Sequence, residues 1–412
     1  MSYSLKKIKD TNVYKYILNI YVGIVVLFGV VFSITSSTYL DNKYRTLLQD
    51  IWGVIWILAV LVIVIKILIE QLNTPNYYQM ALSFIVCFTG YMSFGNSSLE
   101  WLDIAAFLIC GARNVDLKKL VKYLFIAELI SNLLIIMLAA FGVIGNIAMV
   151  KGGHDVVSYA FGFVHPNTLA IRVFEMVMMY IYLKDSKLNI LDFVIIAVLS
   201  VAVKIVTDCD TYLLVIILVE FLLLCYYIYI KYKKDTANRI IKSGFSLLKW
   251  IPVMTTLLMT VVTVLLGNSS WYLNLFKGNV GYRIRQTFIY FQYYGFSIFG
   301  KRIETNIDPA ISTKYGDLAI LDNAYMFLLL QFGLIAFILF ITASIIYAFK
   351  VAGMGKYLLL VILVAYALYG CLENAYIMPI NNFTILLYSE LLWNEKFVNY
   401  KKYDIKKAIK QL

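Results

Sequence analysis

Residues 51–69 read IWGVIWILAVLVIVIKILI, an apolar run with one charge at Lys66. A helix needs about 20 mostly apolar residues to cross the hydrocarbon core of a bilayer. Lipid offers the backbone no hydrogen-bond partner, so a spanning segment must be a helix or part of a closed barrel. Long unbroken runs favour helices over the short alternating strands of a barrel. This stretch therefore predicts a transmembrane helix.

Similar runs recur along the whole chain of 412 residues, which is 62% hydrophobic and 15% charged. Soluble domains are about 45–50% apolar and about 25% charged. We therefore expect an all-α polytopic membrane protein, with residues 1–412 forming a single transmembrane domain of about twelve helices. The expected spans are 16–34, 51–69, 77–94, 99–111, 120–144, 158–183, 190–206, 212–230, 247–266, 323–348, 357–372 and 377–392.

Basic residues orient these spans. With twelve spans and a cytoplasmic N-terminus, most lysines and arginines fall on inner segments, and the short outer loops are nearly bare. Basic residues concentrate in cytoplasmic loops of membrane proteins. We therefore expect a multi-pass protein of the cytoplasmic membrane with both termini inside. The same distribution makes the net charge of +12 a topology signal and argues against a nucleic-acid partner.

Residues 267–322 form the one long loop, which this topology places outside. Loops longer than about 12–15 residues are usually functional or disordered. This loop is rich in Trp, Tyr and Phe, which indicates packing on the membrane surface or on a ligand. We expect it to be partly helical and to lie along the outer surface.

Arg283 and Arg285 follow a glycine-containing turn in this loop. A guanidinium presents a planar fork that matches phosphate oxygens and keeps its charge. Either arginine is a candidate for binding a phosphate or diphosphate. The alternatives are contact with lipid headgroups and a solvated loop charge.

The sixth expected span contains His165, Pro166 and Arg172. Pro166 is expected to kink that helix. An arginine inside a span is costly and marks a functional site by default. Glu175, however, lies three residues on and could neutralise Arg172 structurally, and His165 could simply hydrogen-bond a neighbouring helix.

Lys204 and the Asp208-Cys209-Asp210 triplet lie at the outer end of the seventh span. Snorkelling to the interface explains Lys204 as well as ligand binding does. The triplet resembles a divalent-metal motif, but hard cations prefer several oxygen ligands, and no further acidic cluster accompanies it. With only two histidines in the chain, we expect neither a metal site nor a cofactor.

Asp322 closes the long loop. Its carboxylate could orient an arginine or an acceptor hydroxyl. Its alternative role is to cap the N-terminus of the following helix, which aspartate does well.

Three stretches resemble the Wzy-type polysaccharide polymerases of the O-antigen ligase and polymerase superfamily. The first is FGFVHPNTLA at 161–170. The second combines GYR at 281–283 with YG at 294–295 and FG at 299–300. The third runs from LDNAY at 321–325 to QFGLI at 331–335. The relatives carry an arginine in a turn that corresponds to 207–211, where this chain has none. The histidine that ligases carry in the large loop is also missing, which favours a polymerase.

This resemblance implies a GT-C-like membrane glycosyltransferase that works without a metal. It would join polyprenyl-diphosphate-linked oligosaccharide repeat units into capsular polysaccharide or exopolysaccharide at the outer face of the membrane. Partners would be the lipid-linked oligosaccharide, the lipid bilayer, a chain-length regulator and a flippase. Catalytic candidates are then Arg283, Arg172, His165 and Asp322. The substrate-binding candidates are Arg285, Lys204, Asn167, Asn323, Tyr325 and Tyr294.

Two other functions compete with this prediction. A lipid-linked oligosaccharide flippase also has about twelve helices, but transporters often show matching broken helices in two halves, and only one proline-broken helix is expected here. A ligase of the same superfamily is the second alternative.

Overall fold

Helices make up almost all regular structure in the computed structural model, which describes residues 12–37, 45–73, 76–150, 157–231, 236–275, 279–303 and 321–394. The elements up to residue 231 are α1 (Asn12–Thr35), α2 (Arg45–Asn73), α3 (Tyr77–Ser97), α4 (Trp101–Gly111), α5 (Leu117–Ala140), β1 (Ala148–Val150), β2 (Val157–Tyr159), α6 (Pro166–Lys184), a 3₁₀ turn (Asp185–Lys187), α7 (Ile190–Thr207) and α8 (Asp210–Lys231).

The elements after residue 235 are α9 (Thr236–Leu247), a 3₁₀ turn (Leu248–Trp250), α10 (Ile251–Leu257), a π-helical turn (Leu258–Val262), α11 (Thr263–Leu266), α12 (Ser270–Leu275) and α13 (Asn279–Tyr294). They continue with α14 (Ala324–Phe327), a second π-helical turn (Leu328–Phe332), α15 (Leu334–Gly353), α16 (Tyr357–Tyr369), a 3₁₀ turn (Asn374–Ile377), α17 (Thr384–Leu387) and α18 (Ser389–Trp393).

Seven helices of the described residues are long and apolar enough to cross a membrane, so the chain is an all-α multi-pass membrane protein. These are Tyr14–Thr35, Trp52–Gln71, Leu117–Ala140, Ile190–Thr207, Asp210–Lys231, Ile241–Leu266 and Leu334–Gly353. The total of twelve spans and the GT-C-like arrangement stay predictions.

Several expected spans are shorter in the structure. Trp101–Gly111, Tyr357–Tyr369 and Thr384–Trp393 are apolar helical segments of 10–17 residues. An apolar segment of that length is more often a core helix than a full crossing. Helix α16 fits this description, because every residue from Tyr357 to Ala367 is buried.

Pro166 begins helix α6 and does not kink it, which corrects the expectation. Proline is favoured at the first helical position, where its missing N–H has no helical partner in any case. His165 lies outside the helix as its N-cap. The start of the expected sixth span is not helical either, because β2 pairs antiparallel with β1 and joins Ser158 to Met149.

The helix after the long loop is broken at Gly333. Residues 324–332 form one helical turn and a π-helical turn, and α15 begins at Leu334. Gly333 has φ +93° and ψ 171°, a backbone conformation that is essentially restricted to glycine. The last expected span, 377–392, is also interrupted, since only the short helices α17 and α18 form within it.

The long loop is partly helical, as expected, because it contains α12 and α13. Its side of the membrane stays a prediction. Residues 304–320 lie outside the described part of the chain.

Chain packing divides the protein into two compact units. Unit 1 comprises Met1–Ala81 and Phe107–Phe221, and unit 2 comprises Leu82–Ala106 and Leu222–Leu412. In unit 1 the fully buried Lys66 pairs with Glu70 at 2.8 Å. In unit 2 Trp101 stacks on Phe327 at 5.4 Å. The single transmembrane domain stays a prediction.

Candidate functional site

Arg283 is the centre of a charged cluster in unit 2. It lies on α13, and its Nη2 is 3.4 Å from Asp322 Oδ2 while its Nη1 is 3.4 Å from Glu373 Oε1. Nη1 also donates a hydrogen bond to the carbonyl oxygen of Leu372. Three chain segments therefore meet at one guanidinium, and we call Arg283, Asp322 and Glu373 the arginine cluster.

Backbone hydrogen bonds bring the two carboxylates together. The Ala324 N–H donates to Gly370 O at 3.0 Å, and Asn374 Nδ2 donates to Leu321 O at 2.9 Å. Residues 321–324 are thereby fixed beside the turn that follows α16. Asp322 and Glu373 belong to the two chain segments that these hydrogen bonds join, so both side chains reach Arg283.

The arginine cluster is only partly shielded from solvent. The exposed fractions of the side chains are 27% for Arg283, 18% for Asp322 and 9% for Glu373. Burial raises the pKa of the Asp322 carboxyl, and the positive charge of Arg283 opposes that rise. Two carboxylates facing one guanidinium give the cluster a group that can bind an anion and groups that can accept a proton.

Asn323, and not Asp322, caps helix α14. The Asn323 Oδ1 accepts hydrogen bonds from the N–H groups of Tyr325 and Met326, which leaves Asp322 free of the capping role considered above. Asn323 Nδ2 donates to Met259 O at 2.9 Å. The buried amide therefore fixes the backbone next to Asp322, and its role in substrate binding stays a prediction.

Tyr325, three residues after Asp322, is fully buried. Its hydroxyl donates to Ala367 O at 2.8 Å and lies 2.7 Å from Thr255 Oγ1. Its ring packs against Tyr376 at 5.3 Å. The structure therefore gives Tyr325 partners within the protein, and substrate contact by this side chain stays a prediction.

Arg285 and Tyr294 share helix α13 with Arg283. Arg285 is exposed, whereas Arg283 is half-buried. The Tyr294 ring stacks on Tyr290 at 6.1 Å and meets the Tyr293 ring edge-on at 4.9 Å. Tyr294 thus belongs to a set of neighbouring tyrosines, and its contact with substrate stays a prediction.

Arg172, His165 and Asn167 belong to unit 1. Arg172 is 1% exposed, and its Nη1 lies 3.7 Å from Glu175 Oε2. His165 acts as the N-cap of α6, where its Nδ1 accepts a hydrogen bond from the Asn167 N–H at 3.0 Å. This contact gives His165 and Asn167 a structural task at the start of the helix.

Lys204, also in unit 1, binds both aspartates of the triplet. Its Nζ pairs with Asp208, and it lies 2.5 Å from Asp210 Oδ1. Asp208 ends α7 in the left-handed conformation, with φ 47°. In the described part of the chain, no group of three or more acidic, histidine or cysteine side chains is arranged to hold a metal ion.

Sequence reasoning missed two acidic residues. Glu373 lies between two apolar runs, and a lone acid there has no pattern that links it to Arg283. Glu128 is buried within α5. A signal for Glu128 was present in the sequence, because an ionisable residue inside a span is a functional candidate by default.

The chain matches no protein-family model, no curated protein and no solved structure.

Proposed function

We propose that this chain is a Wzy-type polymerase that joins polyprenyl-diphosphate-linked oligosaccharide repeat units. The observation that carries the proposal is the arginine cluster, where a partly exposed guanidinium stands beside two carboxylates. In this proposal residues 267–322 lie outside the cytoplasmic membrane, and both termini lie inside.

Arg283 binds the diphosphate of the donor. The acceptor sugar hydroxyl attacks the anomeric carbon of the growing glycan, a new C–O bond forms, and the bond to the diphosphate breaks with its electron pair. Diphosphate is already a good leaving group, so the protein needs only to stabilise its charge and position the acceptor. The planar guanidinium does this through two parallel hydrogen bonds.

Asp322 or Glu373 accepts the proton of the acceptor hydroxyl. Both carboxylates already contact Arg283, so the guanidinium holds the base in place beside the donor. When one carboxylate becomes protonated, its hold on Arg283 weakens, and the guanidinium is available to the leaving diphosphate. Proton acceptance and leaving-group stabilisation are coupled in this way through one side chain.

The test uses purified protein in lipid nanodiscs, supplied with lipid-linked repeat units, and resolves the products by size. Arg283→Ala should slow polymerisation about a hundredfold, which corresponds to about 3 kcal/mol of lost transition-state stabilisation. Arg283→Lys should restore little of the polymerisation rate, because an ammonium group cannot make the forked contact.

Arg302→Ala is the matched control, since Arg302 is an exposed arginine of the same loop, and it should polymerise at the parent rate. A near-parental rate for Arg283→Ala at equal protein level would refute the assignment. Arg285→Ala then tests whether the neighbouring arginine binds the donor.

The two carboxylates are separated by Asp322→Asn and Glu373→Gln. The variant that removes the base should lose the acid limb of the pH–rate profile as well as most of the rate. The variant that removes only an orienting group should keep that limb. If both variants keep the parental pH–rate profile, neither carboxylate is the base that accepts the proton of the acceptor hydroxyl.

A flippase is the second candidate, and the buried ionisable residues of unit 1 favour it. Arg172, Glu175 and Glu128 lie inside helices, and such groups often mark ion pathways. Deletion of the gene separates the functions. Loss of a polymerase leaves single repeat units on lipid at the outer leaflet, whereas loss of a flippase leaves them at the inner leaflet. A ligase would transfer finished glycan to a different acceptor.

A further inference from the structure

Helices α5 and α6 bury three ionisable side chains in unit 1. Glu128 of α5 and Glu175 of α6 are 0% exposed, and Arg172 of α6 is 1% exposed. Arg172 Nη1 lies 3.7 Å from Glu175 Oε2, and Gly29 and Phe32, one turn apart on α1, lie beside Glu128 and Arg172 respectively. Two carboxyl groups and one guanidinium are therefore enclosed in the same region of unit 1, closed to solvent.

The carboxyl oxygens have no hydrogen-bond partner within the described residues. This holds for both oxygens of Glu128 and both of Glu175. Arg172 approaches Glu175 Oε2 only to 3.7 Å, which is too long for a hydrogen bond. Its Nη2 instead donates to Ser36 Oγ at 3.3 Å.

Glu70 is a buried glutamate of the same unit whose carboxyl has hydrogen-bond donors. It is 1% exposed. Its Oε1 receives hydrogen bonds from the Tyr14 hydroxyl at 2.6 Å, from Lys66 Nζ at 2.8 Å and from Asn114 Nδ2 at 3.3 Å. Glu128 and Glu175 are as deeply buried as Glu70, but in the described part of the chain their carboxyl oxygens lack such hydrogen-bond donors.

In the part of the chain that the structure describes, the helices packed around this pair bring no further charge to it. Helix α1 contributes Gly29, where a Cβ would lie 3.1 Å from Glu128 Oε1. It also contributes Phe32, whose ring lies 4.9 Å from the Arg172 guanidinium. Helix α5 adds Asn132 one turn beyond Glu128, and the buried Oδ1 of this amide has no partner among the described residues.

Helix α7 packs on α6, and its charged side chains are engaged at its two ends. Lys204 binds Asp208 and Asp210, and Asp192 binds Lys184 at 3.0 Å. Among the described residues, the charges facing Glu128 and Glu175 are therefore their own and that of Arg172.

With all three groups ionised, this apolar region would hold one uncompensated negative charge. A buried carboxyl in that position takes up a proton, because the neutral form costs far less to bury. Two carboxyl groups that cannot both ionise share a single proton. The proton also supplies a donor where carboxyl oxygens lack one.

We propose that Glu128 and Glu175 form a proton-binding site that holds one proton between them, opposite Arg172. Arg172 balances the remaining carboxylate, and the site as a whole is neutral. Uptake or release of this proton changes the charge inside the α1–α5–α6 packing. The site is independent of the arginine cluster, so it stands whether or not the polymerase proposal holds.

The test is infrared spectroscopy of the full chain in nanodiscs across a pH titration. A protonated carboxylic acid has a carbonyl stretch that an ionised carboxylate lacks. Glu128→Gln and Glu175→Gln should each abolish the buried acid band near neutral pH, because the one remaining carboxyl then ionises opposite Arg172. Arg172→Gln should double the band, since both carboxyl groups become neutral.

Glu70→Gln is the control and should leave the band unchanged, because the Glu70 carboxyl already pairs with Lys66 at 2.8 Å. Gel filtration confirms that each variant is folded. If one glutamine variant does not fold, the other still tests whether the band depends on this pair, and Arg172→Gln tests whether both carboxyl groups contribute to it. Loss of the band in only one glutamine variant assigns the proton to a single residue and overturns the shared site. A band unaffected by all three variants overturns the proposal. The proposal is also overturned if the parent protein has no buried acid band. If its carboxylate bands then shift when sodium is exchanged for potassium, a cation occupies the site in place of the proton.

Discussion

Replacement of Gly333 by alanine tests how the loop is fixed to the broken helix beside the arginine cluster. The Leu334 N–H donates to Ser297 O at 2.8 Å, and the Lys301 N–H donates to Gln331 O at 3.1 Å. A Cβ at Gly333 would overlap backbone atoms of residues 298–300. Since these atoms belong to the backbone, a side-chain rotation cannot relieve the overlap.

Two costs add at Gly333. A non-glycine residue in this backbone conformation costs about 1–3 kcal/mol. Overpacking against fixed atoms costs about 1–3 kcal/mol more. We therefore expect Gly333→Ala to lower the free energy of unfolding by about 4 kcal/mol. The measurement is an unfolding titration with SDS in mixed micelles.

Two glycines separate these costs. Gly355 has φ +70° with nothing within 4 Å of a built Cβ, so Gly355→Ala should show only the conformational part, about 1–2 kcal/mol. Gly95 lies in α3 and is also open, so its alanine variant should be about 0.5–1 kcal/mol more stable. Equal losses for Gly333→Ala and Gly355→Ala would refute the reasoning, because the overlap would then contribute nothing.

Three further predictions follow from the site and the topology. If Asp322 is the base, polymerisation should rise with pH with a midpoint above the usual aspartate value of about 3.9, because burial raises its pKa and the ionised form is needed. Arg283→Gln should move that midpoint further up, since the opposing positive charge is gone; an unchanged midpoint in a pH–rate series would contradict the pairing. Polymerisation should survive EDTA, because Lys204 already pairs with both aspartates of the 208–210 turn; activity lost on chelation and regained with magnesium would make them metal ligands. A cysteine in place of the exposed Gln292 should react with an impermeant maleimide in intact cells, and reaction only after lysis would place the loop inside.

A cysteine at Asn306 would be the more central probe of the loop, but this residue lies outside the described residues. Gln292 on α13 serves the same purpose from a helix of defined position. The result decides the side of the loop without reference to any enzymatic activity.

The sequence by itself determined the class of the protein. Apolar runs such as residues 51–69 require lipid as solvent, and lipid requires the backbone to satisfy its hydrogen bonds within each helix. Both requirements concern residues that are contiguous in the sequence, so the composition and length of the apolar runs suffice to infer a helical membrane protein. Seven helices of the described residues meet them.

The breaks in the helices needed the tertiary structure. Pro166 starts a helix where a kink was expected, and the π-helical turn ending at Phe332 leads into the break at Gly333. The sequence contains the proline and the glycine in either case. Whether a helix continues or breaks depends on the segment packed against it. At Gly333, residues 297–301 of the same chain supply the hydrogen-bond partners that the broken helix gives up.

The candidate site divides in the same way. Arg283 and Asp322 were candidates from the sequence, because residue type and loop position suggested chemistry for each. Glu373 was not, since it lies 90 residues from Arg283 along the chain. Charge pairing depends on distance in space, and only the folding of residues 321–324 against the end of α16 brings these three side chains within reach of one another.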